Sequence, residues 1–190
     1  VVYLKADIAN SDELKKALPD PCFEYVVNCG GYINHALFVN GGRKVFDAHF
    51  SGALHLIQLL NRDALVSYVN IGSSDEYGSN EAPQIETQRE APISPYSLGK
   101  VAATHLLEML YRTEAFPSTT LRLFLTYGPG QDAGRFLPQI IKGCLEGRAF
   151  PTSGGQQLRD FCFVGDTVAS VFAAFAKPVA RGQTINIGSG

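Results

Sequence analysis

The sequence predicts an α/β protein: a doubly wound parallel sheet with helices on both faces and a smaller segment interleaved at one edge. Three observations point there. Short β-branched or aromatic runs alternate with longer helical patterns up to about residue 128. Several of the runs are almost continuously apolar, as strands covered on both faces are. The rhythm then changes after Gly128-Pro129-Gly130, with no repeat and no flexible linker.

Val1–Leu4 reads as a strand that ends in Lys5-Ala6-Asp7. A short helix starts at Ser11, with an N-cap and the early acids Asp12 and Glu13 that suit the helix dipole. Pro19 and Pro21 end it. Glu24–Cys29 is the next strand, a glycine loop follows, and Lys44–Asn61 reads as a helix through Val45, Ala48, Gly52, Leu56 and Leu59. Ser67–Ile71 is a buried strand, followed by a polar loop from Gly72 to Pro95. The helix near Tyr96–Thr113 places Val101, His105, Leu106, Met109 and Leu110 on one stripe, and Leu121–Leu125 is the next strand. Strand–helix–strand alternation with right-handed crossovers makes a Rossmann-like sheet. Beyond residue 128, a helix at Phe136–Glu146 leads to a glycine turn at Ser153-Gly154-Gly155 and a strand at Phe161–Val164. Asp166 reads as the N-cap of a helix over Thr167–Ala176, and Thr184–Ile187 is the last strand. Residues 1–128 therefore form the sheet, residues 129–183 pack on its carboxyl edge, and residues 184–190 return to it. That edge is where open α/β sheets bind ligands.

Composition narrows the function. The 190 residues, 45 % of them hydrophobic, can bury one core. A net charge of −2 and a pI near 6.1 exclude the electrostatic footprint of a nucleic-acid or anionic-membrane binder. No apolar run approaches the roughly 18 residues of a membrane span, and the opening VVYLKADIAN lacks the shape of a signal peptide, so a cytoplasmic protein is expected. Cys22, Cys29, Cys144 and Cys162 stand apart, with no metal-like cluster, and read as small reduced apolar residues. The chain lacks an initiator Met and stops as INIGSG enters a turn, which reads as a fragment of a longer chain.

The chemistry converges on Tyr96 and Lys100. Four residues apart on a helix, they share a face, and an ammonium near the phenol favours its phenolate. Tyr96 then becomes a proton-exchange group for a substrate hydroxyl or carbonyl. The spacing alone also fits a tyrosine at a helix start with a solvated lysine. Its context strengthens it: Asn70-Ile71-Gly72-Ser73-Ser74-Asp75-Glu76-Tyr77-Gly78 puts hydroxyls and carboxylates directly after a buried strand, on the same sheet edge. A serine there can donate to a carbonyl oxygen. A glycine fingerprint GxGxxG is absent; Asn28-Cys29-Gly30-Gly31 has the wrong spacing.

In order, GSSDEYG, SPYSLGK, LRLFLTYGPGQ and QLRDFCFVGD resemble the motifs of the extended short-chain dehydrogenase/reductases, and within them the nucleotide-sugar epimerase/dehydratase branch. The resemblance spans nearly the whole chain. It implies a partial NAD(P)-binding domain over residues 1–128, lacking the first βαβ unit, and substrate-binding segments over 129–183. It also implies NAD or NADP as cofactor, a nucleotide sugar as substrate, and a homodimer built on helices 44–61 and 96–113, where Phe46, Phe50, Leu54, Leu107 and Tyr111 put apolar groups on a second face.

By position, the resemblance makes Tyr96 the catalytic acid/base and has Lys100 hold the nicotinamide ribose and lower the Tyr96 pKa. It assigns the catalytic hydroxyl to Ser73, or to Ser74 if the loop is one residue shorter. Asp7 matches an acid that reaches the adenine amino group, and Gly30 and Gly31 match small residues that let the backbone approach the cofactor. Arg159 resembles an arginine contacting the nucleotide part of the substrate; an ion pair with Asp160 is the plainer alternative.

Three departures stand out. His49 replaces an Asn that supports the active site and reads as a packed helical histidine. Leu125 stands where the family usually has Asn. Tyr32 and His35 are additions near the cofactor. Three reactions share the framework, all with hydride transfer at sugar C4: epimerisation, reduction of a 4-keto sugar, and 4,6-dehydration. Asp75 is the candidate elimination base for the last, though one methylene shorter than the dehydratases' glutamate. The Ser-Ser-acid-Glu-Tyr-Gly loop is closer to the 4-keto-6-deoxymannose reductases, so a 4-epimerase or 4-keto reductase is expected first. A non-catalytic dinucleotide-binding sensor or scaffold is the alternative from another class. Without a glycine loop, residues 1–190 alone are expected to bind NAD(P) weakly or not at all.

Overall fold

Parallel strands must be joined by crossovers, and this chain supplies most of them as helices. The computed structural model describes residues 1–152 and 154–190. Its elements run α1 (Ser11–Ala17), β1 (Tyr25–Asn28), α2 (Gly42–Leu59), β2 (Ser67–Ser73), α3 (Pro95–Glu114), β3 (Ser118–Leu123), β4 (Leu125–Tyr127), α4 (Phe136–Glu146), β5 (Phe161–Phe163), α5 (Val164–Ala176) and β6 (Thr184–Ile187). The main sheet is all parallel in the order β1-β2-β3-β6, and β4 and β5 form a separate two-stranded parallel sheet. The expected α/β architecture is thus the observed one.

Alternate residues of β2 feed two cores. Tyr68 packs with Ile57 and Leu60 at the end of α2, with Leu107 and Leu110 of α3, and with Phe116. Val69 faces the other way, onto Leu121 and onto Ala174, Val171 and Phe175 of α5. Helices therefore cover both faces of the central strands, which is why β2 and β3 tolerate long buried runs. β1 is different: it lies at the sheet edge, and Tyr25 and Val27 stay substantially exposed despite the apolar sequence.

Several boundaries differ from the sequence reading, each for a local reason. Val1–Leu4 forms no strand; these residues are exposed and have no neighbouring strand to pair with. The N-cap of α1 is Asn10, whose side chain accepts from the Asp12 and Glu13 amides, so Ser11 is the first helical residue instead. The strand expected at 121–125 is two strands. Phe124 N–H makes the last bond to β6, at Ile187 O, and Leu125 N–H turns to Asp160 O, so the chain changes sheets there. Phe163 leads directly into α5, placing Asp166 inside the first turn and not at the N-cap. The first residue of the expected turn, Ser153, lies outside the described residues. All four cysteines are free, but only Cys162 is buried.

The apolar stripe read on α3 holds in part: Val101 and Leu110 are buried and Leu106 packs against the core. His105 and Met109 are exposed, and the buried face carries Tyr96, Ser97, Lys100, Ala103, Thr104, Leu107 and Leu110. Its polar members each find a partner: Lys100 donates to Ile71 O, Ser97 bonds Ser94, and Thr104 meets a buried carboxylate. Glu76, 0 % exposed, accepts from Thr104 Oγ1 at 3.0 Å, from Arg122 Nε at 2.9 Å and from the Ser73 amide at 2.9 Å. Arg122, equally buried in β3, also pairs with Glu90 and lies 4.7 Å from the Tyr77 ring centroid.

Two measurements test these anchors. Glu76→Gln removes the charge but not the shape. It is expected to lower unfolding free energy by about 3 kcal/mol, the low end for a broken buried pair because Glu90 remains. In denaturant titrations, Glu76→Leu combined with Arg122→Met should lose less than the two single changes summed. α3 ends on Ala115 at φ 53°, a left-handed conformation that suits glycine. Ala115→Gly should therefore stabilise by about 1 kcal/mol, read as a higher melting temperature.

Candidate active site

Ser73 is the last residue of β2 and the N-cap of a single 3₁₀ turn, Ser74–Tyr77. Its Oγ accepts the Asp75 amide at 3.1 Å, while Glu76 returns to the Ser73 amide, completing a capping box. On α3, Ser94 and Ser97 form a second capping box around Pro95. Tyr96 is thus held in the first turn, with Lys100 one turn later on the same face. Lys100 Nζ donates to Ile71 O at 2.6 Å, and lies 6.0 Å from the Tyr96 ring centroid.

Ser73, Ser74, Asp75, Tyr96 and Lys100 all line one cleft of about 440 Å³ at the carboxyl ends of β2 and β3. The opposite wall is Phe124–Tyr127 with Arg135, Phe136 and Phe161, so β4 and the start of α4 roof the main sheet's edge. A volume of this size matches small-molecule sites. Tyr96 and Lys100 are 5 % and 7 % exposed, Ser73 is buried, Ser74 is half-buried and Asp75 is exposed.

Burial dominates the electrostatics. It pushes the Tyr96 phenol up; Ser73 hydrogen bonding pulls it down, the carboxylates of Asp75 and Glu76 raise it, and Arg135 lowers it. The net direction is upward, so in this arrangement Lys100 does not produce the lowered phenol that the sequence suggested: its ammonium is directed to Ile71 O. Burial also lowers Lys100 to about 8, against the raising influence of Glu76 and Cys29. His49 is lowered to about 4, by burial first and then by the Lys100 charge.

The remaining candidates fall outside the cleft lining. Asp7 is exposed, and its side chain accepts the Ala9 amide at 2.9 Å. A Cβ on Gly30 would overlap Ile8, and one on Gly31 (φ +99°) would overlap the His49 ring, so intramolecular packing already requires both glycines. Arg159 is exposed and donates to its neighbour's carbonyl, Leu158 O, at 3.0 Å. The ion pair with Asp160 is not formed either; Asp160 instead caps the Ser189 and Gly190 amides. Of the additions, His35 lines the cleft, and Tyr32 contributes its carbonyl to His49.

Three residues of this neighbourhood escaped sequence reasoning. Arg135 lines the cleft where Arg159 does not. Glu76 was noted only as the neighbour of Asp75, although Ser73-x-x-Glu76 is the spacing of a capping box. Arg122, a lone cation inside the apolar run LRLFL, signalled a buried partner.

The model of the NAD dependent epimerase/dehydratase family matches residues 2–188. A Bacillus subtilis (strain 168) protein named as an uncharacterized UDP-glucose epimerase, YtcB, is 31 % identical over 165 residues, covering 82 % of this chain and 52 % of that protein. An Escherichia coli dTDP-glucose 4,6-dehydratase is 36 % identical over 124 residues, 64 % of this chain and 34 % of that protein. The chain thus spans about half or less of the length of these relatives. The structure of UDP-glucuronic acid 4-epimerase from Bacillus cereus, in complex with UDP-glucuronic acid and NAD, superposes with a TM-score of 0.82 at 26 % identity, covering 97 % of this chain and 59 % of that one. A match over residues 2–188, on an α/β fold with this cleft, identifies the chain as a member of the NAD-dependent epimerase/dehydratase family.

Proposed function

We propose that the chain carries the catalytic portion of an NAD(P)-dependent enzyme that modifies nucleotide sugars by hydride transfer at C4, of the 4-epimerase or 4-keto-sugar reductase type. The observation that carries this reading is the convergence of Tyr96, Lys100 and Ser73 in one cleft at the strand carboxyl ends. Phe124–Tyr127 and, from residues 129–183, Gln131, Arg135, Phe136, Leu137 and Phe161 line the opposite wall, where the sugar nucleotide would lie.

The residues present fit the nicotinamide end of a dinucleotide. Lys100 brings a buried ammonium to the cleft with one donor spent on Ile71 O and two left for ribose hydroxyls. When bound, the cofactor supplies the site that accepts or returns the hydride. Asp7, Gly30 and Gly31 are assigned to its adenosine side by resemblance alone, and the pyrophosphate has no glycine-rich cradle among the described residues.

Tyr96 exchanges the proton of the C4 oxygen. Ser73 accepts the Asp75 amide, and its own hydrogen, directed to Tyr96 in this structure, can turn to that oxygen when substrate is bound; Ser74 lines the same wall and is the second choice. Arg135, and Arg159 if its loop approaches, suit the diphosphate. The homodimer through α2 and α3 keeps Phe46, Phe50, Leu54 and Tyr111 as its apolar face; Leu107 belongs to the core.

The loop favours epimerase or reductase over dehydratase. Elimination across C5 and C6 needs an acid and a base beyond Tyr96. Glu76 is committed to Arg122, Thr104 and Ser73, which leaves Asp75 as the carboxylate in the lining. A 4,6-dehydratase remains the second reading because Asp75 does face that cleft.

Assays of the longest natural chain against a panel of sugar nucleotides test this. Tyr96→Phe is expected to lower kcat by about 10²–10⁴-fold, the usual contribution of a positioned acid/base. Absence of turnover on every sugar nucleotide, or no Tyr96→Phe effect on weak turnover, would sink the proposal. Lys100 is charged below about pH 8 and neutral above it. kcat should therefore fall as pH rises through that range, and Lys100→Arg should move the limb upward.

A further inference from the structure

His49 is a buried titratable group for which the proposed chemistry has no use. It sits in the middle of α2, 5 % exposed, with Nε2 3.0 Å from the Tyr32 carbonyl oxygen. A carbonyl only accepts, so Nε2 carries the hydrogen and Nδ1 is a bare lone pair. Nδ1 is itself buried with no hydrogen-bond partner among the described residues. Two glycines make room for the ring. A Cβ at Gly31 would overlap it, and one at Gly99, next to Lys100, would come within 3.0 Å of His49 Cβ.

The ring so inserted meets Tyr96 at 4.8 Å between centroids and 86° between planes. His35, three residues beyond Tyr32, meets the same phenol at 5.7 Å and 77° and lines the cleft. Gly30 N–H to Asn28 and Ala36 N–H to Asn34 are local, whereas the carbonyls of Tyr32 and Gly30 both act on the His49 ring. The Nε2–H bond to Tyr32 ties the loop's middle to α2.

We propose that His49 is a positioning residue. By binding the Tyr32 carbonyl and abutting Tyr96, it holds the 30–35 loop against α3, so that the phenol is clamped between two imidazoles and His35 is presented to the substrate. The catalytic consequence rests on the function proposed above; the positioning does not. A ring that stays neutral suits this role, because it leaves the proton on the cleft's own groups. Burial and the Lys100 ammonium keep it so, and these are the influences that outweigh the carbonyls of Tyr32 and Gly30.

The test is nitrogen-15 NMR of the histidine rings in the whole chain, with His49→Gln and His49→Phe beside it. The expected spectrum shows the Nε2–H form and no titration from about pH 5.5 to 9, a range within which an ordinary histidine changes charge. A nuclear Overhauser contact between the His35 and Tyr96 rings should persist in His49→Gln, which keeps an N–H donor, and vanish in His49→Phe, which keeps only bulk. With substrate and cofactor, His49→Phe should lower kcat about tenfold or more, as expected for a reacting group displaced by a fraction of an ångström, with KM changed less than about threefold. His49→Gln should recover most of that loss. An Nδ1–H form, a ring that titrates near neutrality, or a His35–Tyr96 contact surviving in His49→Phe overturns the proposal. These spectra need no turnover, so an inactive enzyme counts against the proposed function while the positioning role is decided separately.

Discussion

The carboxylate of Glu76 is shared by three elements, β2, α3 and β3, and the geometry of the cleft depends on that sharing. Its two oxygens take the Ser73 amide from β2, Thr104 from α3 and Arg122 from β3, and Arg122 extends the link to Glu90 in the loop before α3. A buried ion pair is weak evidence for stability, since its desolvation offsets much of its attraction. What the arrangement does supply is register. Tyr96 lies two turns before Thr104 on one helix, and Ser73 hangs from the same carboxylate, so phenol and hydroxyl are positioned relative to each other through one side chain. Sliding α3 by a turn would leave Glu76, Arg122 and Thr104 unmatched in a dry interior, which costs far more than moving an apolar contact.

The same sharing governs what chemistry the loop can perform. Ser73-Ser74-Asp75-Glu76 offers two hydroxyls and two acids in four residues, which on composition alone suggests abundant acid/base capacity. Folding divides the acids: Glu76 turns inward and is saturated, while Asp75 turns outward. The 3₁₀ turn, with Glu76 returning to the amide of its N-cap Ser73, fixes this alternation. Each acid thus has one direction open to it, and the inner one is removed from the reacting volume.

How much of this was legible depended on what each segment rests on. α4 and β6 keep their sequence-read limits, Phe136–Glu146 and Thr184–Ile187, because local pattern and neighbours agree there. Val1–Leu4 has strand composition and no strand, since β propensity expresses a fit to neighbouring strands more than a backbone preference. The instructive miss is α3. Its apolar stripe was drawn through His105 and Met109 because hydrophobic periodicity follows apolar residues to the core. The face that is buried holds Tyr96, Ser97, Lys100 and Thr104; Lys100 and Thr104 find partners on β2 and the turn after it, while Ser97 bonds the helix's own N-cap. Motif spacing found Tyr96 and Lys100 where periodicity pointed elsewhere. Neither could find Arg135, whose place in the cleft follows from the chain leaving the main sheet at Phe124.

Burial moves Tyr96 and Lys100 in opposite directions: it raises the phenol and lowers the ammonium. Both shifts favour the neutral phenol with the lysine at the threshold of losing its charge, and both disfavour the phenolate–ammonium pair. Such a site is set to give a proton rather than to take one. Delivering a proton to a C4 oxygen completes reduction of a 4-ketone, whereas oxidation of a C4 hydroxyl begins with removing one. The two directions of a C4 hydride exchange therefore ask for different electrostatics around one phenol. Asp75 and Glu76 bias it toward the acid and Arg135 toward the base. Of these, Glu76 is locked in the interior, while Asp75 and Arg135 line the cleft. Whatever charge a substrate brings between those two side chains acts directly on the balance. An anionic group lying against Arg135 would neutralise the cation that lowers the phenol, and so strengthen the proton-donating form. On the proposed C4 chemistry, the charge of a bound group would therefore act on Tyr96 through the roof of the cleft.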